Sequence, residues 1–191
     1  MSKFNARKGR GPRTRQEGMS LLDAALWLAI AAVMAFGIFY LVRVVTGKRV
    51  TTQEVQNAIT MTTDLQAKFS AQASFVGISA ANLIRLGIVP DSMVSGTTMV
   101  SGWSTPVTVA PVTLNGAAND GFTFTYQVPS RNCADFVQGV EGVFSRVVIA
   151  GTTVKNLVAG DTSIGVVELA TCDATQGGGS TPVSVALSQS R

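Results

Sequence analysis

Histidine is absent from this 191-residue chain, and charge is scarce, with 14% of residues Asp, Glu, Lys or Arg. Without an imidazole there is no histidine-based proton transfer and no histidine-rich metal site. Ser and Asp are plentiful, but no GxSxG elbow accompanies them, so no nucleophile is supported. Cysteine occurs twice, at Cys133 and Cys172, and the two do not form a CxxC pair. Gly177–Gly179 lacks the strand–helix setting and the lysine of a phosphate loop, and reads as a plain linker within the flexible stretch Gln176–Ser180. This inventory supports no catalytic residue, metal or cofactor.

The net charge of +4 and pI near 9.4 are concentrated at one end. Residues 1–18 hold six bases, Lys3, Arg7, Lys8, Arg10, Arg13 and Arg15, against one acid, Glu17. From Met19 onward nine bases face ten acids. The body therefore has no basic stripe with which to neutralise phosphates, and nucleic-acid binding is not expected. A mean hydropathy of +0.32 points instead to a membrane segment.

That segment is MSLLDAALWLAIAAVMAFGIFYLVRVV, in which nineteen residues between Asp23 and Arg43 carry no charge. As a helix they span roughly 28 Å, close to the hydrocarbon thickness of a bilayer. Backbone at that depth must satisfy its own hydrogen bonds, which predicts a helix. The basic leader is expected to stay on the cytoplasmic side, leaving the remainder outside. Trp27 and Tyr40 then sit near opposite ends of the span, as interfacial aromatics do. In an exported chain an even cysteine count favours a disulfide, with two isolated thiols as the alternative.

Beyond the span, helical spacing continues from Thr51 to about Ser74. Val55, Ala58, Ile59, Leu65, Phe69, Ala73 and Val76 fall near one stripe, with Thr62 an imperfection. Gln53, Glu54, Gln56, Asp64 and Lys68 suit another face. Gly47 is a place where the helix can loosen. Ser79 as N-cap, Gly87 as C′ and Pro90 as stop define a short helix over Ala80–Leu86. Strands are predicted over Pro106–Leu114, Gly121–Val128, Phe144–Ala150, Ile164–Ala170 and Val183–Leu187. A hairpin loop is predicted at Asn115–Asp120 and a brief helix at Ala134–Val140. Trp103 reads as sheet or loop packing. The expected class is α+β: a long N-terminal helix, membrane-spanning in its first half and amphipathic in its second, packed on an antiparallel sheet. The expected divisions are a leader at 1–18, an apolar helix at 19–45 and a head at 46–191.

A secretory signal places its small-residue cleavage site after the apolar run, whereas in QEGMSLLD the small residue, Gly18, precedes it. A charged leader, Gly18, the apolar first residue Met19 and an acid at Asp23 resemble the N-terminus of the type IV pilin family. Methionine at position 19 and the long leader are similar to the type IVb subgroup. The segments GISAANLIRLGIVPDSMV, SGWSTPVTV and GFTFTYQVPSRNC, with Cys172, are similar to PilS-like pilins of conjugative thin pili, so the resemblance spans most of the chain.

The resemblance implies a prepilin cut between Gly18 and Met19 by prepilin peptidase, N-methylated at Met19, and assembled through Asp23 and the apolar helix. It implies a Cys133–Cys172 bridge bounding an exposed C-terminal region, and no cofactor. The implied partners are identical subunits, the pilus assembly machinery and, before assembly, the inner membrane. The mature location is an extracellular filament serving conjugation, adhesion or motility. The chain departs from the family in carrying aspartate where glutamate is usual, which shortens the acid's reach by one methylene. Three alternatives stand beside this reading: a minor pilin, a secretion-system pseudopilin, and a monomeric membrane-anchored binding domain. An ordinary signal anchor leaves Gly18 and Asp23 unexplained, although Asp23 alone also suits a membrane edge facing headgroups.

Overall fold

The computed structural model describes residues 21–72, 74–174 and 181–190. The leader, the Gly18–Met19 junction, Ala73 and the Gln176–Ser180 loop lie outside the described residues. Two units divide between Arg43 and Val44. The helix α1 (Leu21–Lys68) contributes its first part to one unit and its second part to the other.

In the second unit, Thr51, Glu54, Val55, Ala58, Met61, Thr62 and Leu65 are buried. Their spacing of three and four residues makes one face of an α-helix. Thr62 belongs to this stripe: its hydroxyl donates to the carbonyl of Ala58 at 2.8 Å, which satisfies the polar atom inside the core. Glu54, expected on the solvent face, is buried, while Val76, expected on the stripe, is 66% exposed beyond the end of α1.

The short helix α2 (Ala80–Arg85) forms as its caps predict. Ser79 Oγ accepts the Asn82 N–H, Gly87 takes φ +65°, and the Ile88 N–H reaches back to Leu83 O. Seven strands follow: β1 (Val94–Ser95), β2 (Thr98–Val100), β3 (Pro106–Val112), β4 (Gly121–Pro129), β5 (Arg146–Ile149), β6 (Thr152–Asn156) and β7 (Pro182–Ser190). They pair in the order β1-β2-β3-β4-β7-β5-β6, all antiparallel. The register sets Phe124, Leu187 and Val147 in one row and Tyr126, Val185 and Ile149 in the next. All six are fully buried, so the alternation in β4 turns one sheet face into the core.

Helix α3 (Ser130–Val140) starts directly after Pro129, earlier than composition suggests, and buries Phe136, Val137 and Val140 in the same core. An added Cβ on Gly139 would lie 2.7 Å from a methyl of Val55, so this glycine permits close approach of α3 to α1. Asn132 Nδ2 fastens the two helices by donating to Thr51 Oγ1 at 2.9 Å. The loop before β4 is closed by Asp120, whose carboxylate accepts the N–H groups of Leu114 and Asn115 at 2.6 and 2.7 Å. Those bonds hold its carboxyl below the usual range.

The predicted strand Ile164–Ala170 is instead a helical turn, α4 (Val166–Leu169), followed by α5 (Thr171–Ala174). The order Gly-Val-Val-Glu explains it. Gly165 is the N-cap of the turn, and the Glu168 carboxylate lies so close to it that an added Cβ would meet an oxygen at 2.5 Å.

Candidate functional site: an apolar helix and a disulfide-bounded head

The first unit presents an unusual surface. Twelve large apolar side chains between Leu26 and Val42 are exposed, including Val33 at 73% and Phe36 at 77%. They occur on every side of α1, and the helix is long and apolar enough to cross a membrane. At 1.5–3 kcal/mol for each fully buried side chain, removing twelve from water is worth on the order of 20–35 kcal/mol. This is too much for water to be the working solvent of the helix; lipid or other apolar helices suit it. Asp23 is exposed on α1, at the start of its described residues. Trp27 and Tyr40 are exposed on the same helix. Gly18 and Met19 lie outside the described residues, so the geometry does not join them to Asp23.

In the second unit Cys133 and Cys172 form a disulfide with Cα atoms 5.7 Å apart. Both cysteines are buried. The bridge ties α5 to the first turn of α3 and encloses β5, β6 and α4. Glu141 adds two links across this region: its side chain accepts the Ile164 N–H at 2.7 Å, and its carbonyl accepts from Lys155 Nζ.

Sequence periodicity hides one further feature. Glu54, 2% exposed, reaches from α1 to the loop between β2 and β3. Its Oε1 accepts the Gly102 N–H at 3.0 Å and an Asn57 Nδ2 hydrogen at 3.1 Å, while Oε2 has no partner among the described residues. Burial raises its pKa, against the smaller opposing pull of the two hydrogen bonds. The fully buried Tyr126 hydroxyl is raised well above its ordinary value, by burial first and by the Glu54 charge second, and so stays neutral. Trp103, in the same loop, packs edge-on against Phe136 with ring centroids 5.4 Å apart. The readable signal for Glu54 is its place in the series Thr51, Glu54, Ala58, Met61, Leu65, three or four residues from each neighbour.

Comparison with curated proteins returns no match. Among solved structures, TcpA, a type IV pilin from Vibrio cholerae El Tor biotype, is similar with a TM-score of 0.57 at 16% identity. That match covers 74% of this chain and 99% of TcpA. The type IVb pilin PilS from Salmonella typhi is similar with a TM-score of 0.50 at 20% identity, covering 74% and 96%. At such identities these likenesses establish the fold: a long helix, an antiparallel sheet and a disulfide-bounded C-terminal region. A family model described as "PilS N terminal" matches residues 48–186, well over half of the sequence. Fold and family model agree, and the chain belongs to the PilS family of type IVb pilins.

Proposed function

We propose that the chain is a structural subunit of a type IVb pilus, made as a prepilin and polymerised through residues 19–45. The observation that carries this reading is the apolar surface of α1 between Leu26 and Val42, attached in sequence to a PilS-family head. Before assembly the surface is solvated by the inner membrane, with residues 1–18 cytoplasmic and residues 46–191 outside. In the filament the same side chains meet those of neighbouring subunits, so one apolar surface serves both states. The role is structural, and the assembly machinery and prepilin peptidase are its transient partners.

Cleavage after Gly18 would create a partner for Asp23. The new amine of Met19 is positive, and a methyl group leaves it so. An amine and a carboxylate 4 Å apart attract by about 1 kcal/mol in water and about 4 kcal/mol at an effective dielectric of 20, before desolvation. Between subunits such a pair fixes register, which an apolar core alone leaves free to slide.

The test is filament yield against membrane-bound subunit. Asp23→Ala is expected to insert and be processed but to assemble poorly, while Asp23→Glu retains assembly. Mass spectrometry of sheared filaments is expected to show this chain as the main component, beginning at Met19. A chain that keeps its leader, or normal filaments from Asp23→Ala, overturns the corresponding step. A trace amount in filaments made of another pilin assigns it instead to the minor pilins.

A further inference from the structure

The loop between β3 and β4, residues 113–120, opens and closes on two similar dipeptides that stand in opposite states. Asn115 and Gly116 are both exposed. Neither the Asn115 side-chain amide nor the Gly116 N–H has a hydrogen-bond partner among the described residues. The Asn115 main chain, in contrast, is held, because Asp120 Oδ2 accepts its N–H at 2.7 Å. Gly116 stands at φ +92°, and a Cβ built on it would meet nothing within 4 Å. The second dipeptide, Asp120–Gly121, is locked. The Asp120 carboxylate accepts the Leu114 and Asn115 N–H groups, and Gly121 is buried at the start of β4, paired with Val112 and Ser190.

The main-chain nitrogen after an asparagine can close a five-membered ring on the side-chain carbon Cγ. A hydrogen bond on that nitrogen opposes the closure, and so does a side chain on the following residue, which crowds the approach. Asn115–Gly116 has neither obstacle. Of the seven asparagines, Asn115 alone precedes glycine. Asn57, Asn82 and Asn132 lie within helices. Asn119 and Asn156 precede residues whose N–H groups are bonded, Asp120 to Ala117 O and Leu157 to Ser145 O. We propose that Asn115 is a site of self-modification, where closure on the Gly116 nitrogen converts the side-chain amide to a carboxylate. Base removes the Gly116 amide proton, and the nitrogen attacks Asn115 Cγ. The N–Cγ bond forms, the Cγ–Nδ2 bond breaks, and Nδ2 leaves as ammonia with one added proton. Water then opens the cyclic imide at either carbonyl. One opening gives aspartate; the other gives isoaspartate, in which the main chain runs through the side-chain carbon. Water is the only reagent consumed. The product sets a second carboxylate in the loop that Asp120 closes, and from Met19 onward ten acids become eleven against nine bases. The β3–β4 pairs lie outside the loop, so the sheet keeps its register. On the subunit reading, which the reaction itself does not need, a filament gains negative charge as it ages.

The test incubates the full chain in mild detergent at neutral and mildly alkaline pH, and follows each Asn- and Asp-containing peptide by mass spectrometry. The peptide carrying Asn115 is expected to lose its amide and to split into aspartate and isoaspartate forms. Ammonia release and an acidic shift on isoelectric focusing are expected to keep pace, at a rate proportional to hydroxide. Asn57, Asn82, Asn119, Asn132 and Asn156 are expected to stay intact, and Asp120 to keep its normal linkage. Asn115→Gln, whose ring would need a sixth member, is expected to keep the Cys133–Cys172 bridge and to lose both the ammonia and the acidic shift. Unfolding in guanidinium is expected to leave the Asn115 rate within a few-fold and to start isoaspartate formation at Asp120, because only the second dipeptide is locked by the fold. An Asn115 amide that survives in the folded chain overturns the proposal, whether or not it reacts in guanidinium. Equal loss from the other asparagines overturns its assignment to this loop.

Discussion

Replacing Glu54 by glutamine isolates the consequence of burying an acid between α1 and the β2–β3 loop. The substitution keeps an acceptor for the Gly102 N–H and removes the ionisation. Burial raises the Glu54 pKa in the folded head above its ordinary 4.5, so protonation favours the folded state. The sign follows: the stability contributed by neutral Glu54 is complete below about pH 4.5 and is lost as the pH rises through the folded value. Each unit between the two values is worth about 1.4 kcal/mol, or roughly 3–6 °C in Tm for a domain of this size. Glu54→Gln is therefore expected to gain on the unmodified chain between about pH 5 and pH 8, in thermal unfolding followed by near-ultraviolet circular dichroism in mild detergent. Glu54→Ala leaves the Gly102 N–H without its acceptor and is expected to cost about 1–3 kcal/mol at neutral pH. An unmodified chain that gains on Glu54→Gln as the pH rises would refute the reasoning, because Glu54 would then be stabilised as a carboxylate.

Two further outcomes are expected in the head. Removing the bridge with Cys133→Ser and Cys172→Ser frees a loop spanning 39 positions and is expected to cost about 4 kcal/mol in the chain-entropy account, read as a lower denaturant midpoint. Gly139→Ala sets a methyl against Val55 and is expected to destabilise by about 1 kcal/mol after its gain in helix propensity. That cost is expected to vanish in a Val55→Ala background, and a cost unchanged by Val55→Ala would show that the α1–α3 approach is not its source.

The parts of the fold legible in the sequence are those where one physical signal acts alone. Uninterrupted apolarity marks α1 before Arg43, period-two alternation marks β4, and Ser79 with Gly87 marks both ends of α2. Reading fails where two signals compete. Val166 and Val167 favour strand by their branching, but the Gly165 cap and Glu168 carry the local order into a turn. Glu54 and Thr62 break an apolar pattern without leaving the helix face, because each finds a hydrogen bond inside. The hairpin between β5 and β6 turns on Ala150 and Gly151, both at positive φ, and alanine gives no warning of such a conformation. Asp23 is legible as a charge next to an apolar run.

β7 is the last strand in chain order and yet lies inside the sheet, between β4 and β5. Until residues 182–190 arrive, the head consists of two separate ribbons, four strands from β1 to β4 and two from β5 to β6. Among the described residues, no hydrogen-bonded strand pair joins them without β7. The sheet is therefore made one piece only by the last strand of the chain. Without β7, the edge of β4 that carries Phe124 and Tyr126 is an open seam able to pair with another strand.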